Sequence, residues 1–465
     1  MRKNAIIYGE VISGIQKKAL ALLNEALLNY TLEYPAFYHH NEAARTHGAR
    51  KFYIGTRKNN PVFELLNQAE LTHKEEYRIT VLDDTVYIEG ADDAGVLYGC
   101  IDFFDQYIIK QEYPHDDRYY VNCFENTLPN FAYTSHPSVA RRGLWTWGHV
   151  IYDYKGYLDN MTRLKLNTLT IWNDRVPVNA KEITDYAHDC GIRIIWGYSW
   201  LWDTDCRKIP FDRLCDFSES IFETYEKEYS HLNGDGIYFQ SATELGSETI
   251  GDTVIADAVT DFVNKTAALF FEKYPHLELQ FGLHATSVRK RLASIQNTDP
   301  RIRIVWEDCG AFPFSYIPSD IKNFEETKEL VRKIAVLRGK EERFGVVTKG
   351  LTKLDWLTFE HSDSPQFIGV SSKEMKKNRI ERKRKIWRYL QAFWLTNADK
   401  AQEMVQMMKD IKNGDLDISA LVEDGMFEEN VMYPVALFAE ILWDTEKDIK
   451  TLMSEVALRS YVEFA

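Results

Sequence analysis

The sequence predicts an α/β protein with a small N-terminal α/β domain, a central (β/α)8 barrel and a C-terminal helical region. From residue 141 onward, short apolar runs alternate with helix-like stretches, a pattern typical of parallel strands covered by helices. These runs end in tryptophan, an acidic residue or both, as expected where strand ends form the rim of a barrel. Earlier in the chain, two alternating runs joined at Asp83 and Asp84 predict a hairpin in a separate domain.

The N-terminal domain is predicted to span residues 1–130. An apolar stripe at helical spacing from Ile15 to Leu28 predicts its first helix. Its other predicted elements are a strand at 51–55, a short helix near 61–67, a hairpin at 77–90 and a helix at 91–108. Residues 127–138 are rich in turn-forming residues and therefore predict a linker to the barrel.

The barrel is predicted to span residues 138–372. Its first six strands are predicted at 141–148, 168–174, 192–202, 235–244, 279–285 and 302–310, each followed by a helical pattern. Residues 343–350 predict the seventh strand, and residues 366–370 are the candidate for the eighth. Residues 373–465 are mostly helical and are predicted to pack beside the barrel.

Composition limits the classes of partner. The chain has 465 residues and a formal net charge of −14, which disfavours a nucleic-acid or anionic-membrane partner, although local basic pockets are compatible with it. Gly9, Glu10 and Gly14 interrupt the N-terminal segment, so no signal peptide is predicted. Six cysteines without a close CxxC pair are typical of reduced thiols. We therefore predict a cytoplasmic protein.

Carboxylates follow the fourth and sixth predicted strands. A glycosidase needs one carboxylic acid to protonate the leaving oxygen and a second carboxylate to attack or to activate water. Ends of strands two neighbours apart lie about 10 Å apart, so inward carboxylates could be about 6 to 9 Å apart, a separation that favours inversion and is also compatible with retention. We predict Glu244 as the acid and Glu307, or alternatively its neighbour Asp308, as base or nucleophile. The alternative interpretation is a rim acid that caps a helix or pairs with arginine.

Aromatic and polar residues at the other strand ends suit a sugar. Aromatic faces stack on sugar C–H faces, and hydroxyl groups need hydrogen-bond partners. The predicted substrate-binding residues are Trp145, Trp147, Trp172, Asn173, Asp174, Trp196, Trp200, His284 and Trp306. Each single tryptophan has the alternative interpretation of a core residue. Arg141, Arg142, Arg175 and Lys349 are candidates for binding a sugar carboxylate, with an ion pair within the fold as the alternative.

Other chemistries find less support. The sequence has no GxGxxG, GxxxxGK[ST] or GxSxG motif and no recognised metal-ligand spacing. We therefore predict a small-molecule carbohydrate ligand, no cofactor and no metal. The sequence leaves the oligomeric state open.

Two segments carry a family resemblance. Residues 91–108 resemble the closing helix of the small domain that precedes the barrel in β-hexosaminidases and α-glucuronidases, and residues 156–174 resemble the first helix and second strand of their barrels. The domain order is most similar to that of the α-glucuronidases. The resemblance implies a glycoside hydrolase with Glu244 as general acid. Such hexosaminidases carry an Asp-Glu pair after strand four, whereas Thr243 precedes Glu244 here, which argues against their acetamido mechanism.

Three hypotheses about function follow. The leading one is a glycoside hydrolase acting on a glycoside or short oligosaccharide, with a uronic-acid-containing substrate as one candidate. The second is a carbohydrate-binding or sensing barrel without catalysis. The third is a barrel enzyme of another class, such as a metal-dependent lyase or isomerase.

Overall fold

The computed structural model describes residues 3–31, 33–108, 128–147, 151, 153–173, 175–201, 210–243, 247–284, 291–307, 323–352, 373–412, 415–422 and 427–465. The chain divides into two compact units. The first comprises Met1–Pro137 with His188–Gly191, and the second comprises Ser138–Ala187 with Ile192–Ala465.

The first unit is built on a mixed sheet of six strands. The strands are β1 (Asn4–Tyr8), β2 (Ala36–His39), β3 (Arg50–Thr56), β4 (Tyr77–Leu82), β5 (Thr85–Gly90) and β6 (Phe131–Ser135), in the order β2-β1-β3-β5-β4-β6. Its helices are α1 (Gly14–Thr31), α2 (Val62–Leu65) and α3 (Asp93–Phe103), and α3 continues into a π-helical turn, Phe104–Ile108. A 3-10 helix spans His40–Arg45. The predicted α/β character of this part of the chain is confirmed.

Local chemistry explains the best-predicted elements of this unit. Asp83 and Asp84 form the tight turn between β4 and β5 with φ values of 47° and 62°, a conformation that aspartate tolerates better than most residues. Helix α3 starts after Asp92, whose side chain accepts a hydrogen bond from the Gly95 backbone N–H at 2.9 Å. This contact satisfies a backbone donor that a helix N-terminus would otherwise leave unpaired.

The predicted linker at 127–138 was wrong in part. It contains β6, which pairs antiparallel with β4. The Tyr133 hydroxyl on β6 donates to the buried carboxylate of Asp102 on α3, as does the Tyr77 hydroxyl. Turn-forming residues at both ends of a five-residue strand masked its alternating pattern.

The second unit is a closed barrel of eight parallel strands. In chain order the strands are β7 (Arg141–Trp147), β8 (Thr168–Trp172), β9 (Arg193–Gly197), β10 (Gly236–Phe239), β13 (Glu278–His284), β14 (Arg303–Glu307), β15 (Phe344–Leu351) and β16 (Leu416–Val422). Each pairs with the next, and β16 pairs with β7. The short strands β11 (Thr249–Ile250) and β12 (Thr253–Val254) form a hairpin, and β17 (Val431–Met432) pairs with β18 (Val462–Glu463).

Helices cover the barrel. They are α4 (Tyr154–Arg163), α5 (Ala180–Asp189), α6 (Ser218–Glu228), α7 (Ile255–Lys273), α8 (Leu292–Ile295), α9 (Phe324–Ala335), α10 (Lys373–Ile411), α11 (Tyr433–Trp443) and α12 (Ile449–Ala457), with 3-10 helices at Phe211–Phe217 and Ser230–Leu232. Among the described residues, no helix is both long and apolar enough to cross a bilayer.

The prediction of the eighth strand was wrong. Residues 366–370 lie outside the described residues, and β16 closes the barrel instead. The 39-residue helix α10 therefore connects strands seven and eight, and the barrel extends past residue 372, where the sequence analysis ended it. Strand β16 was not predicted because Asp417 and Ser419 alternate with its apolar residues. The continuous apolar run expected of a barrel strand is therefore missing.

A buried ion network fills the N-terminal end of the barrel. Arg303 is fully buried, and its Nε donates to Glu278 Oε1 at 2.8 Å while its Nη2 donates to Asp415 Oδ2 at 2.9 Å. Arg141 and Arg193 also contact Glu278, at 2.7 and 3.1 Å. Burial alone would raise the pKa of Glu278, but the charges of Arg303 and Arg141 outweigh burial and lower it. The network keeps Glu278 ionised although it is buried.

Replacing Arg303 tests the network. The change Arg303→Met leaves Glu278 and its neighbouring carboxylates without their main counter-charge, so we expect the free energy of unfolding to fall by about 3 to 5 kcal/mol. Urea titration followed by circular dichroism measures the change. Arg301→Met is the matched control, since that side chain is 58% exposed in its pair with Asp299 and should cost less than about 1 kcal/mol. Equal losses in the two variants would contradict the expectation.

Candidate active site

One layer of large side chains crosses the barrel interior near the C-terminal ends of the strands. Trp145 and Trp172 both meet Tyr238 edge to face, with ring centroids 5.6 and 5.9 Å apart. Trp147 packs against the layer and is only partly buried. The layer consists of Trp145, Trp172, Ile195, Tyr238, Val305, Val347 and Leu421. Three of the predicted aromatic residues thus lie in or on the layer that forms the floor of the barrel mouth.

Three other predicted tryptophans lie elsewhere. Trp200 stacks on Phe239 with ring centroids 3.6 Å apart and an interplanar angle of 9°, and it also contacts Phe270 of α7. Trp196 and Trp306 each follow an interior residue in their strands, so strand alternation directs them toward the helices. All three are at most 2% exposed. The structure therefore places Trp196, Trp200 and Trp306 in the packing between barrel and helices.

Glu307 ends the sixth barrel strand and points into the interior. Its side chain is 1% exposed, and its Oε1 accepts hydrogen bonds from the Tyr238 hydroxyl and from Gln240 Nε2. Both donors come from the fourth strand, β10, or from the residue just after it. Two donors on one oxygen stabilise negative charge there. Glu307 is therefore a carboxylate held in one orientation at the barrel mouth.

A glycine makes this contact possible. The strand between β10 and β14 is β13, and its interior position opposite the carboxylate is Gly282. A Cβ atom at this position would overlap the Tyr238 hydroxyl and would lie 2.9 Å from Glu307 Oε1. The missing side chain lets the tyrosine ring pass across one strand to reach the glutamate two strands away.

Several buried polar atoms at the strand ends have no hydrogen-bond partner within the described part of the chain. They include both side-chain amide atoms of Asn173, Oε1 of Gln240 and Oγ of Ser241. Leaving such a group buried and unpaired costs roughly 1 to 3 kcal/mol. The unpaired indole N–H of Trp145 carries less weight, because Trp196 and Trp200 in the outer packing also have one. The amide and hydroxyl groups can serve hydroxyls of a ligand.

Other predicted site residues are not described. Glu244, Asp174 and Asp308 lie outside the described residues, as does the side chain of His284. The backbone of His284 is described and pairs with Glu307 across β13 and β14. These positions remain predictions. Among the described residues, no group of three or more His, Cys, Asp or Glu side chains is arranged to hold a metal ion.

Two candidate arginines have roles within the fold. Arg141 belongs to the ion network at the opposite end of the barrel. Arg142 is fully buried, and its guanidinium donates to the backbone carbonyls of Lys165 and Val139 at 3.0 and 2.8 Å. The structure therefore supports the alternative interpretation for both arginines rather than contact with a sugar carboxylate.

Sequence reasoning missed Tyr238 and Gln240 as members of the site. The available signal was their spacing of two, which puts both on the same side of the extended chain, opposite Phe239, although Gln240 follows the last residue of β10. Their contact with Glu307 spans 67 to 69 residues and depends on Gly282, which no local pattern reveals.

Comparison with known proteins supports the fold. No protein-family model and no curated protein matches the sequence. A β-N-acetylhexosaminidase from Bacteroides fragilis superposes with a TM-score of 0.56 at 13% identity, covering 100% of this chain and 93% of the other. A mutant Streptomyces plicatus β-hexosaminidase in complex with its product GlcNAc gives 0.57 at 11% identity, with the same coverage.

A GH138 enzyme targeting pectin rhamnogalacturonan II also matches, with a TM-score of 0.56 at 13% identity over 96% of this chain. The present chain spans 64% of the length of that enzyme. At such identities the likeness shows the fold, a (β/α)8 barrel preceded by an α/β domain as in these glycoside hydrolases. The resemblance inferred from the sequence is confirmed at that level.

Removing the Tyr238 hydroxyl tests the contact with Glu307. The change Tyr238→Phe leaves a buried carboxylate oxygen with one donor fewer among those described, so we expect a loss of about 1 to 3 kcal/mol in the free energy of unfolding. Denaturant titration measures it. The control is Tyr34→Phe, whose side chain is 79% exposed and for which a change within about 0.5 kcal/mol is expected. An unchanged free energy of unfolding in Tyr238→Phe would show that the contact contributes nothing to stability.

Proposed function

We propose that this chain is a glycoside hydrolase that cleaves a glycoside or short oligosaccharide at the C-terminal mouth of its barrel. The supporting observation is Glu307, a buried carboxylate oriented by Tyr238 and Gln240 above a floor of tryptophan rings. Catalytic groups of this barrel architecture sit at the C-terminal ends of the strands. Unpaired polar atoms of Asn173 and Gln240 supply hydrogen-bonding positions for sugar hydroxyls.

The hydrogen bonds of Glu307 favour one of the two carboxylate roles. A carboxylate that accepts from a tyrosine and a glutamine is stabilised in its charged form, which suits a base or nucleophile. A general acid needs a proton to donate, so the second carboxylate must come from elsewhere on the rim. We assign the role of general acid to Glu244, which follows the fourth strand, and keep Asp308 as the alternative to Glu307 in the role of base or nucleophile.

A second candidate is a carbohydrate-binding or sensing barrel without catalysis. The same contacts favour it, because a glutamate already engaged by two protein donors can serve solely to position neighbouring side chains or a sugar hydroxyl. The two candidates share the ligand class and differ in turnover. Both need the interior layer of tryptophans, so variants of the carboxylates separate them better than variants of the rings.

The experiment is a pair of isosteric variants. We expect Glu244→Gln and Glu307→Gln each to lower kcat on a hydrolysed chromogenic glycoside by about 10²- to 10⁴-fold, because each removes one acid/base function. Binding of the corresponding free sugar, measured by calorimetry, should persist in both. The matched control is Glu329→Gln on the outer helix α9, whose side chain is 56% exposed, and it should keep full activity.

The possible outcomes distinguish the candidates. Full activity in either rim variant would overturn the role given to that residue. Sugar binding by the unmodified chain without hydrolysis across a broad panel of α- and β-glycosides, uronides included, would favour the binding protein. Product configuration, followed by NMR during hydrolysis, would distinguish inversion from retention.

A further inference from the structure

The first turns of helix α10 are positively charged, although the chain as a whole is negatively charged. Residues 373–388 contain nine lysines and arginines and two glutamates, in a chain whose formal net charge is −14. Two of these cations are buried, Arg379 in an ion pair with Glu428 at 3.0 Å and Lys383 beside it on the helix. Most of the remainder face solvent.

Four exposed cations form a continuous strip along the helix, here named the basic ridge: Lys377, Arg384, Lys385 and Arg388. At 100° per residue they span about 100° of the helix surface. Glu374 and Glu381 are exposed on the same face, and Lys373 is exposed at its edge, so the exposed charges of this face sum to +3. None of the four cations forms an ion pair within the described part of the chain. Tyr389, 40% exposed, adds an aromatic ring next to the strip.

The basic ridge lies at the mouth end of helix α10, on the helix face turned away from the buried Arg379, Lys383 and Trp387. Helix α10 runs from the end of strand seven to the start of strand eight, so its N-terminal half belongs at the C-terminal end of the strands. Trp394 Nε1 donates to the Gly350 carbonyl, near the end of β15, at 2.9 Å. Arg388 and Lys377 precede Trp394 by six and 17 residues, or roughly 9 and 25 Å along the helix axis at 1.5 Å per residue.

A buried contact fixes this part of the helix to the rim. Glu428, in the segment after strand eight, accepts from Arg379 Nη1 through one oxygen and from the Asp153 backbone N–H at 2.7 Å through the other. Asp153 caps helix α4, which follows strand one. This contact joins the helix that carries the ridge to the segments that follow strands eight and one, which are neighbours in the barrel. Both segments lie at the C-terminal end of the strands, where the candidate active site is.

We propose that the basic ridge is a binding site for an acidic polysaccharide, a chain of uronic acid units that extends out of the barrel mouth. The inference rests on the proposed function, since the mouth must accept a sugar for a glycan chain to emerge there. Uronic acid chains carry one carboxylate on each ring, which suits a row of lysine and arginine side chains. Their sugar faces can also stack on Tyr389.

The rest of the molecule favours this ligand over other polyanions. A nucleic acid or an anionic membrane presents a dense, extended negative surface and needs a broad basic face. Here the excess of positive charge lies on the first turns of one helix, in a chain whose formal net charge is −14. A single flexible glycan chain with well-spaced carboxylates needs only a narrow row of cations.

The test measures binding of the full chain to immobilised polygalacturonate by biolayer interferometry. Immobilised dextran is the neutral comparison. The ridge variant combines Lys377→Gln, Arg384→Gln, Lys385→Gln and Arg388→Gln, since glutamine keeps the helix propensity of the exposed positions. We expect the unmodified chain to prefer polygalacturonate, the preference to fall as salt is raised, and the ridge variant to bind about tenfold or more weakly.

The matched control removes the same charge elsewhere. Lys181→Gln, Lys227→Gln, Arg332→Gln and Lys333→Gln alter exposed side chains on α5, α6 and α9 and should leave binding unchanged. Unaltered binding by the ridge variant would overturn the inference, as would failure of the unmodified chain to bind polygalacturonate. Tighter binding to duplex DNA or to phosphatidylserine vesicles at equal ionic strength would assign the ridge to another partner and would overturn it as well.

The binding assay separates this inference from the proposed function. For a short neutral glycoside that the unmodified chain hydrolyses, the ridge variant should keep the same rate of hydrolysis. If no glycoside is hydrolysed by the unmodified chain, the hydrolase proposal fails while the binding result still decides the ridge.

Discussion

Closure of the eight-stranded barrel is the constraint on which the site depends. In a closed sheet every strand divides its side chains between an interior and an exterior face with a period of two. That division puts Trp145, Trp172 and Tyr238 in one interior layer and sends Trp196 and Trp306 to the helices, although all five follow similar apolar patterns in the sequence. Whether a residue at a strand end can reach a ligand therefore depends on two things. One is the residue type, and the other is whether its place in the strand alternation directs the side chain inward or outward.

The same closure gives the barrel two chemically different ends. At the N-terminal end, Arg303 and Arg141 offset the charges of Glu278 and its neighbouring carboxylates. At the C-terminal end, Glu307 accepts hydrogen bonds from two neutral groups, the Tyr238 hydroxyl and the Gln240 amide. The two ends therefore differ in the groups that hold their buried carboxylates: arginines at the N-terminal end, and a tyrosine and a glutamine at the C-terminal end.

Sequence periodicity predicted the architecture well because each strand–helix repeat is a local pattern. Seven barrel strands, the hairpin at β4 and β5 and the helix α3 all follow from alternation, helical spacing and turn residues. The eighth strand did not, since Asp417 and Ser419 line its interior face and break the apolar run. Such residues are acceptable there because partners from distant strands satisfy them; Arg303 lies 3.9 Å from Asp417. A local pattern cannot show partners that lie more than a hundred residues away.

The candidate site was harder to predict than the fold for a related reason. Residue type marked Glu307, but the groups that orient it, Tyr238 and Gln240, resemble ordinary strand residues until the barrel is closed. Gly282 is the clearest example, because its contribution is the space that it leaves for a contact between the strands on either side.

The charge of helix α10 follows a similar logic at a larger scale. Its net composition is visible in the sequence, but only the contacts of Arg379 with Glu428 and of Trp394 with Gly350 show that the cations stand at the mouth rather than at the base of the barrel. Electrostatic attraction between a confined positive strip and a polyanion acts over about a Debye length, roughly 8 Å at physiological salt. A ridge at the mouth end of the helix can therefore attract a charged chain to this end of the barrel without any of its cations touching the reacting sugar.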